Sequence, residues 1–168
     1  SRPAFLSWAG MLAGGGLFAT LLNGFGNKYQ YQVKRISLSF NNLPSSFKGL
    51  KIVHISDIHC GSLTNKNAVI KGVEKIINEK PHPILFTGDL VNNRAEEMES
   101  FMDVFNRLTA PLGVYSTLGN HDYGDYVHWD TRQDKINNLE RLKQVHADLG
   151  FPGANERIGV GLIGYGLI

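Results

Sequence analysis

The sequence predicts an α/β fold: a mostly parallel sheet with flanking helices, preceded by an apolar N-terminal helix. Three observations lead there. Apolar, β-branched runs at 50–55, 83–87 and 113–118 alternate with stretches of helical periodicity. Each run is followed at once by a short polar segment: Asp57-Ile58-His59, Gly88-Asp89, and Gly119-Asn120-His121-Asp122. Strand, helix, strand, helix, strand with right-handed crossovers makes a parallel βαβαβ sheet. Such a sheet collects its functional residues beyond the carboxyl ends of its strands, which is where all three polar segments fall.

Residues 4–25 are apolar and Gly-rich and carry no charge. That is close to the roughly 20 residues a helix needs to span a bilayer. Ser1-Arg2-Pro3-Ala4-Phe5-Leu6 resembles a twin-arginine export signal, with Pro3 where the second arginine would stand. The expectation is a membrane anchor or export signal over 1–26, and a membrane-associated or extracytoplasmic location. The other reading is an N-terminal arm or a helix packed on the domain.

Past Asn27, alternation at Tyr29, Tyr31 and Val33 changes phase to Ile36, Leu38 and Phe40. This predicts a bulged strand, or two strands meeting at Lys34-Arg35. Residues 41–46 form a turn cluster, and the first buried strand follows at 50–56. A helix over 66–79 places Val69, Ile70, Val73, Ile76 and Ile77 on one face, capped by Thr64 or Asn65 and stopped by Pro81 and Pro83. The second strand is 84–87. A helix over 95–108 carries Met98, Phe101, Met102, Phe105 and Leu108, a core stripe, and the third strand is 114–118. The last helix, 134–149, presents Ile136, Leu139, Leu142, Val145 and Leu149, with Gly150 as a left-handed stop.

With 168 residues, 42% of them hydrophobic, the chain can build one compact core. A net charge of +2 with interspersed signs leaves no nucleic-acid footprint. The single cysteine, Cys60, excludes an internal disulfide; it is read as a small loop residue, with a soft metal ligand as the alternative.

Carboxylate, imidazole and a side-chain amide oxygen together suit a divalent first-row metal, or a pair sharing one carboxylate. The three segments, in this order and spacing, resemble the motifs of the calcineurin-like metallophosphoesterase superfamily, over roughly residues 48–151. The resemblance implies half of that family's sandwich fold and a metal-dependent phosphoesterase acting on a phosphomono- or diester through a metal-activated bridging water. It implies two divalent ions (Mn, Fe, Zn or similar), with Asp57 and His59 on the first, Asp89 bridging, and Asn120 on the second. His121 would be catalytic, beside the phosphoryl group. Asp122 is expected to hydrogen-bond the motif loop. His54 is expected in the core or behind the ligands, and His82, His128 and His146 in solvated loop or helix positions, with a stand-in for a missing metal ligand as the alternative for each. Tyr123, Tyr126 and Trp129 form an aromatic cluster, for a substrate pocket or for packing.

The family pattern continues with a Gly-His and a Gly-His-x-His, and neither occurs in these 168 residues. The chain is therefore read as a fragment: an N-terminal segment 1–26, the first half of the catalytic domain 27–151, and a truncated or foreign tail 152–168, inactive alone. Two alternatives stand beside it. One is a non-enzymatic remnant lacking the downstream histidines. The other is a fusion at 157–168 to a nicotinamide-dependent oxidoreductase, suggested by Gly164-x-Gly166 after an apolar strand. The bland reading of that tail is the family's own next strand.

Overall fold

A computed structural model describes residues 28–151. The expected N-terminal helix and the glycine-rich tail lie outside these residues. The chain divides into two units at Leu38 and Ser39. In the first, the described residues 28–38 form no helix or strand. Tyr29 and Tyr31 meet edge to face at 6.4 Å, with Lys28 over the Tyr29 ring. The alternating pattern of this stretch predicted strands. No neighbouring strand pairs with it among the described residues, and alternation without a ladder does not make a strand.

The second unit carries the α/β fold. Three parallel strands, β1 (Val53–Ile55), β2 (Ile84–Phe86) and β3 (Val114–Ser116), lie in the order β1-β2-β3. The register aligns Val53, Ile84 and Val114, then His54, Leu85 and Tyr115, then Ile55, Phe86 and Ser116. Period-2 alternation sends Ile84, Phe86, Val114 and Ser116 to a buried face. The other face carries exposed His54 and Tyr115 and half-buried Leu85. Each strand is shorter than its apolar run, but pairing continues beyond the regular part. Val53 donates to Pro83, Thr87 to Ile55, and Thr117 to Phe86. Before β1, the Lys51 amide donates to the His82 ring and the His82 amide to the Lys51 carbonyl, so His82 ties the strand entry rather than standing free in solvent.

Helix α1 (Lys66–Asn78) begins at Asn65, whose side chain accepts from the Ala68 amide. It buries Val69 and Val73 and half-buries Ile70, Ile76 and Ile77. Lys80 (φ 52°) closes its end in the left-handed conformation, donating to Ile77. The segment expected as one helix over 95–108 is instead a 3-10 stretch, Ala95–Phe101, followed by one α-turn, α2 (Met102–Phe105). Its apolar spacing still buries Met98, Phe101, Val104, Phe105 and Leu108.

Helix α3 (Arg132–Asp148) starts two residues before the expected position. Thr131 is the cap, and Asp134 is the third-position partner of a reciprocal capping box. Gly150 (φ 71°) ends it as expected, donating to Ala147. The buried stripe of α3 includes His146 as well as Leu142 and Leu149. His146 Nδ1 lies 2.9 Å from the Ser116 hydroxyl, which donates to the Phe151 carbonyl, so α3 packs on the buried face at β3. The expectation of a solvated His146 is thereby corrected. Burial holds its pKa down to about 4. Among the described residues no helix is long and apolar enough to cross a membrane.

Candidate metal centre

Beyond the strands the first two motif loops run side by side. Asp57 donates its amide to Gly88, His59 to Asp89, and Cys60 to Leu90, at 3.0–3.1 Å. The chain turns sharply to do this. Asp57 (φ 54°), His59 (φ 46°) and Asp89 (φ 56°) all occupy the left-handed region, at roughly 1–2 kcal/mol each for a non-glycine residue. Gly88 (φ 99°) takes a conformation that side chains avoid, and a Cβ there would strike the Gly119 backbone. A Cβ on Gly119 would in turn run into the Asp89 amide and carboxylate. The second and third motif loops touch through these two glycines.

Asp122 locks that contact. Its fully buried carboxylate accepts from the amides of Asp89 (2.8 Å), Leu90 (2.9 Å), Val91 (3.2 Å) and Gly119 (2.8 Å). Burial pushes its pKa up, against the amides that favour the carboxylate. The expected loop-bonding role of Asp122 is what the structure places there. Cys60 is buried beneath the first loop, and burial with Glu97 and Asp122 nearby pushes its thiol up to about 12. Its thiol is not among the donor atoms that converge, which fits the small-loop-residue reading.

Above this base, Asp57, His59 and Asp89 each offer a donor atom, all within 4.8 Å of one another. His59 Nε2 is 3.8 Å from Asp57 Oδ1. Two carboxylates and an imidazole at this spacing fit a borderline divalent cation, which would also relieve the repulsion of the two acids. His121 follows directly. Its amide donates to Asp89 Oδ1 at 2.8 Å, and its ring meets His59 edge to face at 4.6 Å. Tyr126 stacks on the His121 ring at 4.5 Å, and its hydroxyl lies 2.8 Å from the Asn120 amide nitrogen. That contact engages the Asn120 amide nitrogen and leaves its oxygen to accept. His54, on the sheet's exposed face, bonds the Thr87 hydroxyl at 2.7 Å.

The aromatic cluster divides. Tyr126 belongs to the site. Trp129 packs: its indole donates to Gly124, and Arg94 lies over its ring at 4.4 Å. Tyr123 lines a shallow groove of about 260 Å³ with Arg132, Lys135 and Ile136. Two residues that sequence reasoning passed over also shape the site. The Glu97 carboxylate accepts from the amides of Asn92, Asn93 and Arg94. Asn138 on α3 accepts from Ala95 and donates to the Asn93 carbonyl. The signal for Glu97 was present: an acid two residues into a segment that opens just after a polar turn.

Residues 50–164 match the family of calcineurin-like phosphoesterases. The chain belongs to that family. Calcineurin-like phosphoesterases are hydrolases that use divalent metals, which agrees with the donor set at Asp57, His59 and Asp89. The chain is 39% identical to a UDP-2,3-diacylglucosamine pyrophosphatase, LpxG, of Chlamydia trachomatis over 60% of its own length and 32% of the relative's. It is 33% identical to the Bacillus subtilis metallophosphoesterase YkuE, over 75% of this chain and 46% of that one. A zebrafish (Danio rerio) transmembrane protein with a metallophosphoesterase domain is 27% identical over 74% of this chain and 29% of its own. The chain thus spans about a third to just under a half of the first two relatives' length, and less of the third's. No solved structure gives a significant match.

Proposed function

We propose that this calcineurin-like phosphoesterase chain carries the first half of a dinuclear hydrolase site for a phosphomono- or diester. The observation that supports it most is the convergence of Asp57, His59 and Asp89, from two separate strand ends, within 4.8 Å. In this reading Asp57, His59 and Asp89 would hold one cation, and Asp89 with the Asn120 amide oxygen would hold a second. The bound cations supply an activated water and neutralise charge on the phosphoryl oxygens. The chain's own residues do the rest. The Gly88–Gly119 contact and Asp122 fix the Asp89 carboxylate against the third loop. Tyr126 turns the Asn120 amide so that its oxygen is free. His121 sits beside the phosphoryl group and gives a proton to the leaving oxygen, work an imidazole does well near neutral pH.

The chlamydial relative is named for a pyrophosphatase acting on UDP-2,3-diacylglucosamine. Each phosphorus of a substituted pyrophosphate carries two substituents, as in a diester, so this name favours the diester end of the range. The family match runs to residue 164, which supports reading the tail as part of the same family domain rather than as a foreign one. The zebrafish relative's name supports an apolar anchor over 4–25, testable by carbonate extraction of membranes. The missing Gly-His and Gly-His-x-His leave the second cation with Asp89 and Asn120 alone. The chain by itself should therefore bind metal weakly and hydrolyse an activated aryl phosphodiester only slightly.

Manganese titration of the chain tests the site. Asp89→Ala should abolish binding, while His121→Ala should leave it within about threefold, because His121 acts on the substrate. Full metal content after Asp89→Ala would refute the bridging assignment. Turnover by the chain alone near that of a full-length relative would refute the half-site reading.

A further inference from the structure

The imidazole of His121 needs one nitrogen presented to substrate and the other held. Its Nδ1 lies 2.9 Å from the backbone carbonyl of Asn92. A carbonyl can only accept, so Nδ1 carries the proton and Nε2 is left as the second, working nitrogen. What fixes this arrangement is therefore whatever fixes the Asn92 peptide. The Asn92 side chain faces the other way, bonding the Ser62 hydroxyl at 3.0 Å. The peptide is held from below by Glu97, whose carboxylate takes the amides of Asn92 (2.6 Å), Asn93 (3.1 Å) and Arg94 (3.0 Å). Three successive amides on one carboxylate curl the backbone into a nest and leave its carbonyls facing outward. Asn138 braces the same turn by donating to the Asn93 carbonyl at 3.0 Å. Gly61 lies against the Glu97 carboxylate and has no room for a side chain there.

We propose that Glu97 is the positioning residue for His121: by closing the 92–94 turn it aims the Asn92 carbonyl at Nδ1 and sets the tautomer of the imidazole. This rests on the reading of His121 as the proton donor, a role the ring serves as an imidazolium, with Nδ1–H on the Asn92 carbonyl and Nε2–H toward the leaving oxygen; the geometry it concerns belongs to the chain alone. Charged acceptors bind amides roughly twice as strongly as neutral ones, which accounts for a carboxylate here rather than an amide side chain. A Gln at 97 would offer one oxygen and turn an NH2 group toward the remaining amides. Its hold on the turn would be intermediate.

The test is ring-nitrogen NMR of the ¹⁵N-histidine-labelled, metal-free chain, at a pH where His121 is neutral. In the wild type, His121 should be an Nδ1–H tautomer, and finding Nε2–H would overturn the proposal outright. Glu97→Ala should remove the Nδ1–H signature and give mixed tautomers, and Glu97→Gln should fall between. His146, buried against Ser116, serves as the control for folding and should keep its own pattern. Manganese affinity at Asp57, His59 and Asp89 should change by less than about threefold, since no ligand is touched. An unaltered Nδ1–H signature in a folded Glu97→Ala variant would refute the role of Glu97. Failure of the wild type to bind manganese would strike the phosphoesterase reading and leave the tautomer result standing. Should Glu97→Ala not fold, Glu97→Gln carries the test alone, and an unshifted His121 there refutes the proposal.

Discussion

Three of the five motif residues share a backbone conformation that ordinary side chains avoid, and that strain has a measurable consequence. Asp57 is exposed, and the contact that holds its left-handed φ of 54° is its amide's bond to Gly88, which a glycine would keep. Asp57→Gly should therefore stabilise the fold by roughly 0.5–1 kcal/mol while weakening manganese binding at least tenfold. Urea denaturation beside a metal titration checks both halves, and a variant that loses stability would show that Asp57 is not strained. The motif residues were legible because each chemistry-bearing side chain directly follows an apolar run, where an open sheet must expose it. Asn138 was not legible as a site residue, because its contacts span 43 and 45 residues of chain, and Tyr126 was legible only as pocket or packing until its contacts with Asn120 and His121 are seen. Glu97 bonds the neighbouring turn, whereas Asn138 reaches it from a different helix, and no local pattern records that.

At the level of elements, sequence periodicity placed all three strands and both long helices. It misjudged the segment after Arg94, where apolar spacing was helical but Ala95–Phe101 is 3-10 and only Met102–Phe105 is α. It also missed the polar part of the α3 interior, because histidine and asparagine read as surface residues until their partners are seen. His146 makes that interior sensitive to acid. An ordinary histidine titrates near 6.5, and burial lowers this one to about 4 in the folded chain. Between those values the unfolded chain binds the proton and the folded chain does not. Stability is thus fully present above about pH 6.5 and is lost as pH falls toward about 4, a loss of about 2 kcal/mol at pH 5. Urea midpoints at two pH values should show this slope in the wild type, and His146→Leu should flatten it. An equal slope in the variant would place the sensitivity elsewhere.

On the scale of the whole molecule, the described residues cover one face of the sheet and leave the other exposed. Tyr115 (42% exposed) and Ile52 (53% exposed) leave apolar surface open beside His54 and Leu85, a feature that isolated domains normally cover. The chain should self-associate with rising concentration, and Tyr115→Lys should shift it toward monomer in sedimentation without lowering its unfolding midpoint. Association unchanged by that substitution would direct attention to another surface. The single carboxylate of Asp122 has a different reach. Four amides from two loops end on it, so none can open to solvent unless its neighbours do. In deuterated water, Asp89, Leu90, Val91 and Gly119 should exchange at one common free energy, as a single cooperative unit. Asp122→Asn should release all four together, since an amide side chain brings one oxygen where the loops require two. The loop edge that carries the motif residues would then be protected, and lost, as one piece.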